Sequence, residues 1–212
     1  MSPLGPRARS ALTLYSQSNC RRSHTIRFVM GLKGLPHDLI VVDGLEPPSE
    51  LRQLQANASL PTLVERDVVL FEPRIIAEYL DERFPHPPLL PSDPLGRARM
   101  RLTVHRIESE WGQGLDGLLA GSSADPQQSR QDLRNSLAES EALFKAAKFF
   151  LSPDVGIADC VLLPILWRLP AVGIGLKELP PGIDSYAQRL FQTPLFQRSL
   201  TDAERAQVGA AL

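Results

Sequence analysis

The chain has 212 residues, of which 43% are hydrophobic and 22% charged, and its formal net charge is -1. That length allows one large domain or two small ones with a real core, and the near-zero charge gives no basic field to hold nucleic acid non-specifically. No apolar run approaches the length of a membrane span, the run from Ala11 to Tyr15 is too short for a signal-peptide core, and two cysteines, Cys20 and Cys160, make no disulfide framework, so the reducing cytoplasm is the expected setting.

Ala11 to Tyr15 reads as a short buried strand. Arg21 to Lys33 reads as a helix, with Ile26, Val29, Met30 and Lys33 near helical spacing and Gly34 as its stop. The β-branched run Leu39 to Val42 predicts a second strand, Asp43 to Pro48 a loop, and Ser49 the cap of a short helix through Gln55. Leu60 to Val64 and Val68 to Phe71 flank the polar turn Glu65-Arg66-Asp67, which is a hairpin pattern. Pro73 opens a helix to Arg83 at the position where its missing N–H is harmless, with Ile75, Ile76, Tyr79 and Leu80 as the apolar face. The order β-α-β-α-β-β-α demands a parallel crossover followed by an antiparallel hairpin, hence a small mixed sheet with helices on its faces, as in the thioredoxin fold.

Five prolines between Phe84 and Leu95 end that pattern, and residues 85–95 read as a stiff linker between a domain over 10–84 and a domain over 96–212. Beyond it the strand signals fade. Arg97 to Leu119 and Gln127 to Ala147 are long helical patterns, Ile157 to Leu169 is an apolar helix containing Pro164, and Ile183 to Phe191 is another. Cys160 and Trp167 are expected in its core, and Asp159 reads as a structural acid at a helix start whose other capping residue is only Gly156. Arg97, Arg99, Arg101 and Arg106 make the helix after the linker basic, which is a solvated face or one that pairs with an acidic surface. The four histidines show no metal-ligand spacing with the cysteines, and no Gly-rich phosphate loop is present.

Segregated thioredoxin-like and all-helical halves, with Leu60-Pro61 just before the hairpin, resemble the glutathione S-transferase superfamily. The resemblance implies that fold, an α/β N-terminal domain followed by an all-α domain. It also implies a cis bond at Leu60-Pro61 and a backbone there that receives the cysteinyl part of glutathione. A narrower resemblance, to the stringent starvation protein A family of bacterial regulators, is carried by Glu78 to Pro91, His105 to Glu108 with Trp111, Phe150-Leu151-Ser152, Asp159-Cys160, Leu166 to Pro170 and Ser199-Leu200-Thr201. It implies a homodimer that binds RNA polymerase holoenzyme with the primary sigma factor, alters promoter use in stress or stationary phase, and needs neither cofactor nor transferase activity. It assigns the polymerase contact to Pro85, His86, Pro87 and Pro88. On the residues alone the same segment reads as a rigid linker with an exposed histidine. Prolines also pre-organise a surface, since they lose little entropy on binding.

The competing reading is a cysteine-type glutathione transferase or thiol transferase. Cys20-Arg21-Arg22-Ser23 has the C-x-x-S form of monothiol glutaredoxins, and a helix N-terminus with two arginines beside it would favour a thiolate. Its glutathione site would use Cys20, Leu60, Pro61 and Glu72. The family's serine after that glutamate holds the γ-glutamyl carboxylate, whereas Pro73 has neither hydroxyl nor N–H. Each charge-assisted bond is worth about 1.5–3 kcal/mol, so losing two weakens such binding by roughly two orders of magnitude or more.

Overall fold

The computed structural model describes residues 12–43 and 48–209. The expectations for the start of the chain, for Ala11 as the opening of the first strand and for the middle of the loop after Asp43 lie outside the described residues. Strand β1 (Leu12–Gln17) is followed by helix α1 (Arg21–Leu32), β2 (Asp38–Val42), α2 (Ser49–Leu54), β3 (Thr62–Glu65), β4 (Val68–Leu70) and α3 (Pro73–Arg83). The sheet order is β2-β1-β3-β4, with β1 parallel to β2 and antiparallel to β3, and β3 antiparallel to β4. This is the mixed sheet that the element order demanded. Gly34 takes φ +61°, the left-handed conformation that ends α1, and the hairpin turns tightly on Arg66 at φ +56°.

Some local expectations are corrected. Pro48, not Ser49, caps α2, and no side chain bonds to that helix start. Ile75 is more than half exposed, because α3 turns Ile76, Ala77 and Leu80 to the core instead. The segment 85–95, expected as a stiff linker, also packs against the body: Leu89 and Leu90 are buried, and the Leu89 carbonyl accepts the Ile157 N–H at 3.0 Å.

The second half is helical. Helix α4 (Pro94–Arg106) is capped by Asp93 and runs through a π-helical turn, Ile107–Gly112, into α5 (Gln113–Leu119). The single helix expected over 127–147 is two, α6 (Pro126–Glu139) and α7 (Glu141–Lys145). They are followed by α8 (Ile157–Arg168), α9 (Pro181–Phe191), α10 (Pro194–Ser199) and α11 (Asp202–Gly209). Three of the four arginines that make α4 basic meet acids of the same chain: Arg101 reaches Glu78 at 2.7 Å, Arg97 reaches Glu82 at 3.1 Å and Arg106 reaches Glu110 at 3.0 Å. Asp159 is fully buried and accepts from the Gly156 N–H, the Phe150 N–H and the Tyr186 hydroxyl, so the acid half of the capping box works without a partner side chain. Trp167 is half-buried, with its ring against Phe191 and Phe196.

One apolar core runs from Leu12 and Leu14 through α1 and α3 into α8 and α9. Helix α1 lies inside it. Every residue from Ser23 to Met30 is buried, including His24 and Arg27, and Arg21 is buried at its start. A helix buried on all sides while carrying cations must find a partner for each of them.

Candidate functional site

The two sets of candidate residues sit at opposite ends of α1, which at twelve residues is about 18 Å long. At its N-terminus Cys20 is the cap residue, half-buried, and its side chain makes no capping hydrogen bond. The arginines beside it are otherwise engaged. Arg21 gives Nε and Nη2 to the two oxygens of Asp116, both at 2.8 Å, and Nη1 to Glu108 at 2.7 Å, while Arg22 reaches Asp116 at 3.3 Å. The expectation that both guanidiniums serve a thiolate is therefore corrected: carboxylates of the helical domain take their charge.

The other residues of the glutathione-like set are placed as follows. Leu60-Pro61 is cis, as the resemblance implied; Pro61 is buried and Leu60 half-buried at the start of β3. Glu72 is exposed at the cap of α3, and Pro73 follows at its first position. Glu72 and Pro73 share a polar cleft of about 240 Å³ with Arg22, Arg74, Val104, His105 and Glu108, and neither Cys20 nor Leu60 nor Pro61 lines it. The set is thus not gathered around one cavity there. The residues present also fit the γ-glutamyl group of glutathione poorly, since Pro73 brings no donor to the helix start.

At the other end of α1, Pro85, His86, Pro87 and Pro88 are all exposed, and the His86-Pro87 bond is cis. Their backbone is held from beneath. The Lys33 ammonium, with no exposed side-chain surface, donates to Asp81 at 2.9 Å, to the Phe84 carbonyl at 2.7 Å and to the Pro87 carbonyl at 2.9 Å. All three of its donors are used. The same Asp81 oxygen accepts the Leu89 N–H at 2.8 Å. A groove of about 490 Å³ runs beside the segment, with Pro85, Pro88, Leu89, Met100, Phe150 and Val155 among its lining. It joins the proline segment to the Phe150-Leu151-Ser152 turn, two stretches that carried the resemblance separately.

In the sequence Lys33 reads as one of the spaced positions of a helix, and Asp81 stands out only as a member of the Glu78 to Pro91 stretch. A lysine among the apolar positions of α1, with three acids, Glu78, Asp81 and Glu82, in the next helix but one, was the available signal.

The comparisons bear on the whole of this architecture. Residues 19–83 match the model of the glutathione S-transferase N-terminal domain, and residues 96–189 that of the C-terminal domain. A stringent starvation protein A homolog of Coxiella burnetii is 40% identical over 200 residues, covering 92% of this chain and 94% of that protein. A maleylacetoacetate isomerase of Pseudomonas aeruginosa is 31% identical over 183 residues, covering 80% and 86%. Glutathione transferase Omega 3C from Trametes versicolor superposes with a TM-score of 0.81 at 22% identity, over 96% of this chain and 90% of that one, which speaks to the fold. With identity at this level running along nearly the whole chain, the protein belongs to the stringent starvation protein A family, within the glutathione S-transferase superfamily.

Proposed function

We propose that the protein is a stress- and stationary-phase transcription regulator that docks on RNA polymerase holoenzyme carrying the primary sigma factor. In this reading it works in the cytoplasm as a homodimer and carries out no glutathione transfer. The observation that supports it is the Pro85-His86-Pro87-Pro88 surface: exposed along its whole length, yet fixed by a buried ammonium that holds its Pro87 carbonyl and the preceding Phe84 carbonyl. A surface ordered before contact loses little entropy on docking. His86 presents a flat ring with two nitrogens from that rigid frame. The family name carried by the relatives accords with a stress role, and Pro73 at the start of α3 accords with the absence of glutathione chemistry.

The test is binding of the purified protein to reconstituted holoenzyme. His86→Ala is expected to weaken binding about tenfold or more, as loss of an interface hot spot does, while leaving the melting temperature unchanged because the side chain is exposed. Wild-type affinity in that variant removes the assigned surface. The competing reading rests on Cys20 standing free of capping bonds at the start of α1. Retention on a glutathione resin that depends on Cys20, with no polymerase bound, would replace the regulator by a thiol transferase.

A further inference from the structure

Residues 199–204 close over the loop that leads from β1 into α1. The Thr201 hydroxyl donates to the Ser18 carbonyl at 2.6 Å. Thr201 N–H donates to Glu204 Oε2 at 2.9 Å and Glu204 N–H to Thr201 Oγ1 at 3.2 Å, a reciprocal cap for α11. Among the described side chains of α11 only Glu204 is buried; Asp202, Ala203, Arg205 and Ala206 are exposed. Among the side chains of this helix that are described, none belongs to the apolar core. A helix of eight residues has little stability of its own and normally depends on apolar packing. Here the buried described side chain is a carboxylate, and the Glu204 carbonyl beside it accepts the Trp167 N–H at 3.2 Å.

The receptacle for that carboxylate is built by other elements. Arg27 Nη2 donates to both Glu204 oxygens at 2.6 Å, and Arg168 Nη2 donates to Oε1. The two arginine side chains are 4% and 1% exposed. Arg27 is braced by Ser16 Oγ, Gln17 O and Ser199 O, and Arg168 by Pro164 O and His24 Nδ1. Two guanidiniums thus converge on one point in the interior, and a single carboxylate meets them. With His24 held neutral by burial and by those two cations, one unit of positive charge is left without a partner in this cluster. A dianion of similar size would cancel it.

We propose that Arg27 and Arg168 form a binding site for a compact phosphate dianion, free phosphate or a phosphate monoester, and that Glu204 fills it as a displaceable internal ligand. Entry of the dianion lifts α11 from the body. It also removes the Thr201 bond to Ser18, so that the loop carrying Cys20 loses its cover. The site is separate from the proline segment and stands whether or not the polymerase reading does.

The experiment uses the full-length chain with inorganic phosphate as probe and chloride at equal ionic strength as control. In the wild type, phosphate is expected to speed tryptic cleavage after the exposed Arg205 several-fold and saturably, because the helix must leave the body to be cut. In Glu204→Gln, where the internal ligand is neutral, phosphate should raise the melting temperature saturably, by roughly 5–10 °C at a hundredfold excess over Kd. Adding Arg168→Met should abolish that rise. Running glycerol 3-phosphate in parallel distinguishes the ester from the free ion; a response to either supports the site. Cleavage after Arg205 that ignores phosphate overturns the proposal even where Glu204→Gln does not fold, and so does a Glu204→Gln melting temperature that follows ionic strength alone.

Discussion

His24 has no exposed surface, and its protonation state follows from what faces it. Arg168 Nη1 lies 3.2 Å from its Nδ1, and a guanidinium can only donate, so Nδ1 accepts and the ring proton sits on Nε2, which donates to Ser199 Oγ at 2.8 Å. Burial first, then the charges of Arg168 and Arg27, push the imidazole pKa well below its ordinary 6.5. The Glu204 carboxylate at 4.0 Å offers little relief, since two guanidiniums already claim it. The folded state therefore refuses a proton that the unfolded chain accepts, and stability falls as pH drops below about 6.5. The contribution of this one residue reaches at most about 1.4 kcal/mol per pH unit, until the folded state also protonates. Denaturant unfolding between neutral pH and pH 5 is expected to show that slope in the wild type and a flatter one in His24→Gln. Equal slopes would mean that His24 does not carry the dependence.

The elements differ in how far their sequences announce them. Gly34 marks the end of α1 and Pro73 the start of α3, because each acts through its own backbone. The β-branched run of β2 and the polar turn at Arg66 are equally local. Which face an element buries is a tertiary matter: Ile75 reads as core and is more than half exposed, while Arg21, His24, Arg27 and Lys33 are buried with polar partners that the local pattern does not name. Their partners Asp116, Ser199, Glu204 and Asp81 stand 95, 175, 177 and 48 residues away, beyond the reach of any periodicity. The proline segment was legible as a surface through its composition and its resemblance, but its support was not. Lys33 is that support, and Lys33→Ala leaves a nearly buried Asp81 without its cation. The expected cost is about 3–5 kcal/mol in urea unfolding, with holoenzyme binding lost at temperatures where the variant is still folded. Full binding by such a folded variant would show that the segment keeps its shape without the ammonium.

Across the whole molecule, the thioredoxin-like and helical halves are joined by α1, and its first side chain makes the most exacting contact. The Arg21 guanidinium lies between the bidentate Asp116 and Glu108, and Gly112 leaves room for it. A Cβ on Gly112 would stand 2.8 Å from Nη2 and 2.9 Å from Cζ. The glycine itself has ordinary helical angles, φ -65° and ψ -48°, so alanine there suits the backbone and on propensity alone should stabilise by about 1 kcal/mol. The close approach reverses the sign. Although the guanidinium is the end of a flexible side chain, moving it breaks charge-assisted bonds worth about 1.5–3 kcal/mol each. Because Asp116 and Glu108 are about a third exposed, water recovers part of that loss. Gly112→Ala is therefore expected to destabilise the wild type by about 1–2 kcal/mol. In an Arg21→Ala background the obstacle is gone, and the same change should stabilise by up to about 1 kcal/mol. The four-member cycle, measured by urea unfolding, should give a coupling near 2 kcal/mol. Effects that add to within about 0.5 kcal/mol would mean that Arg21 and Gly112 do not constrain each other.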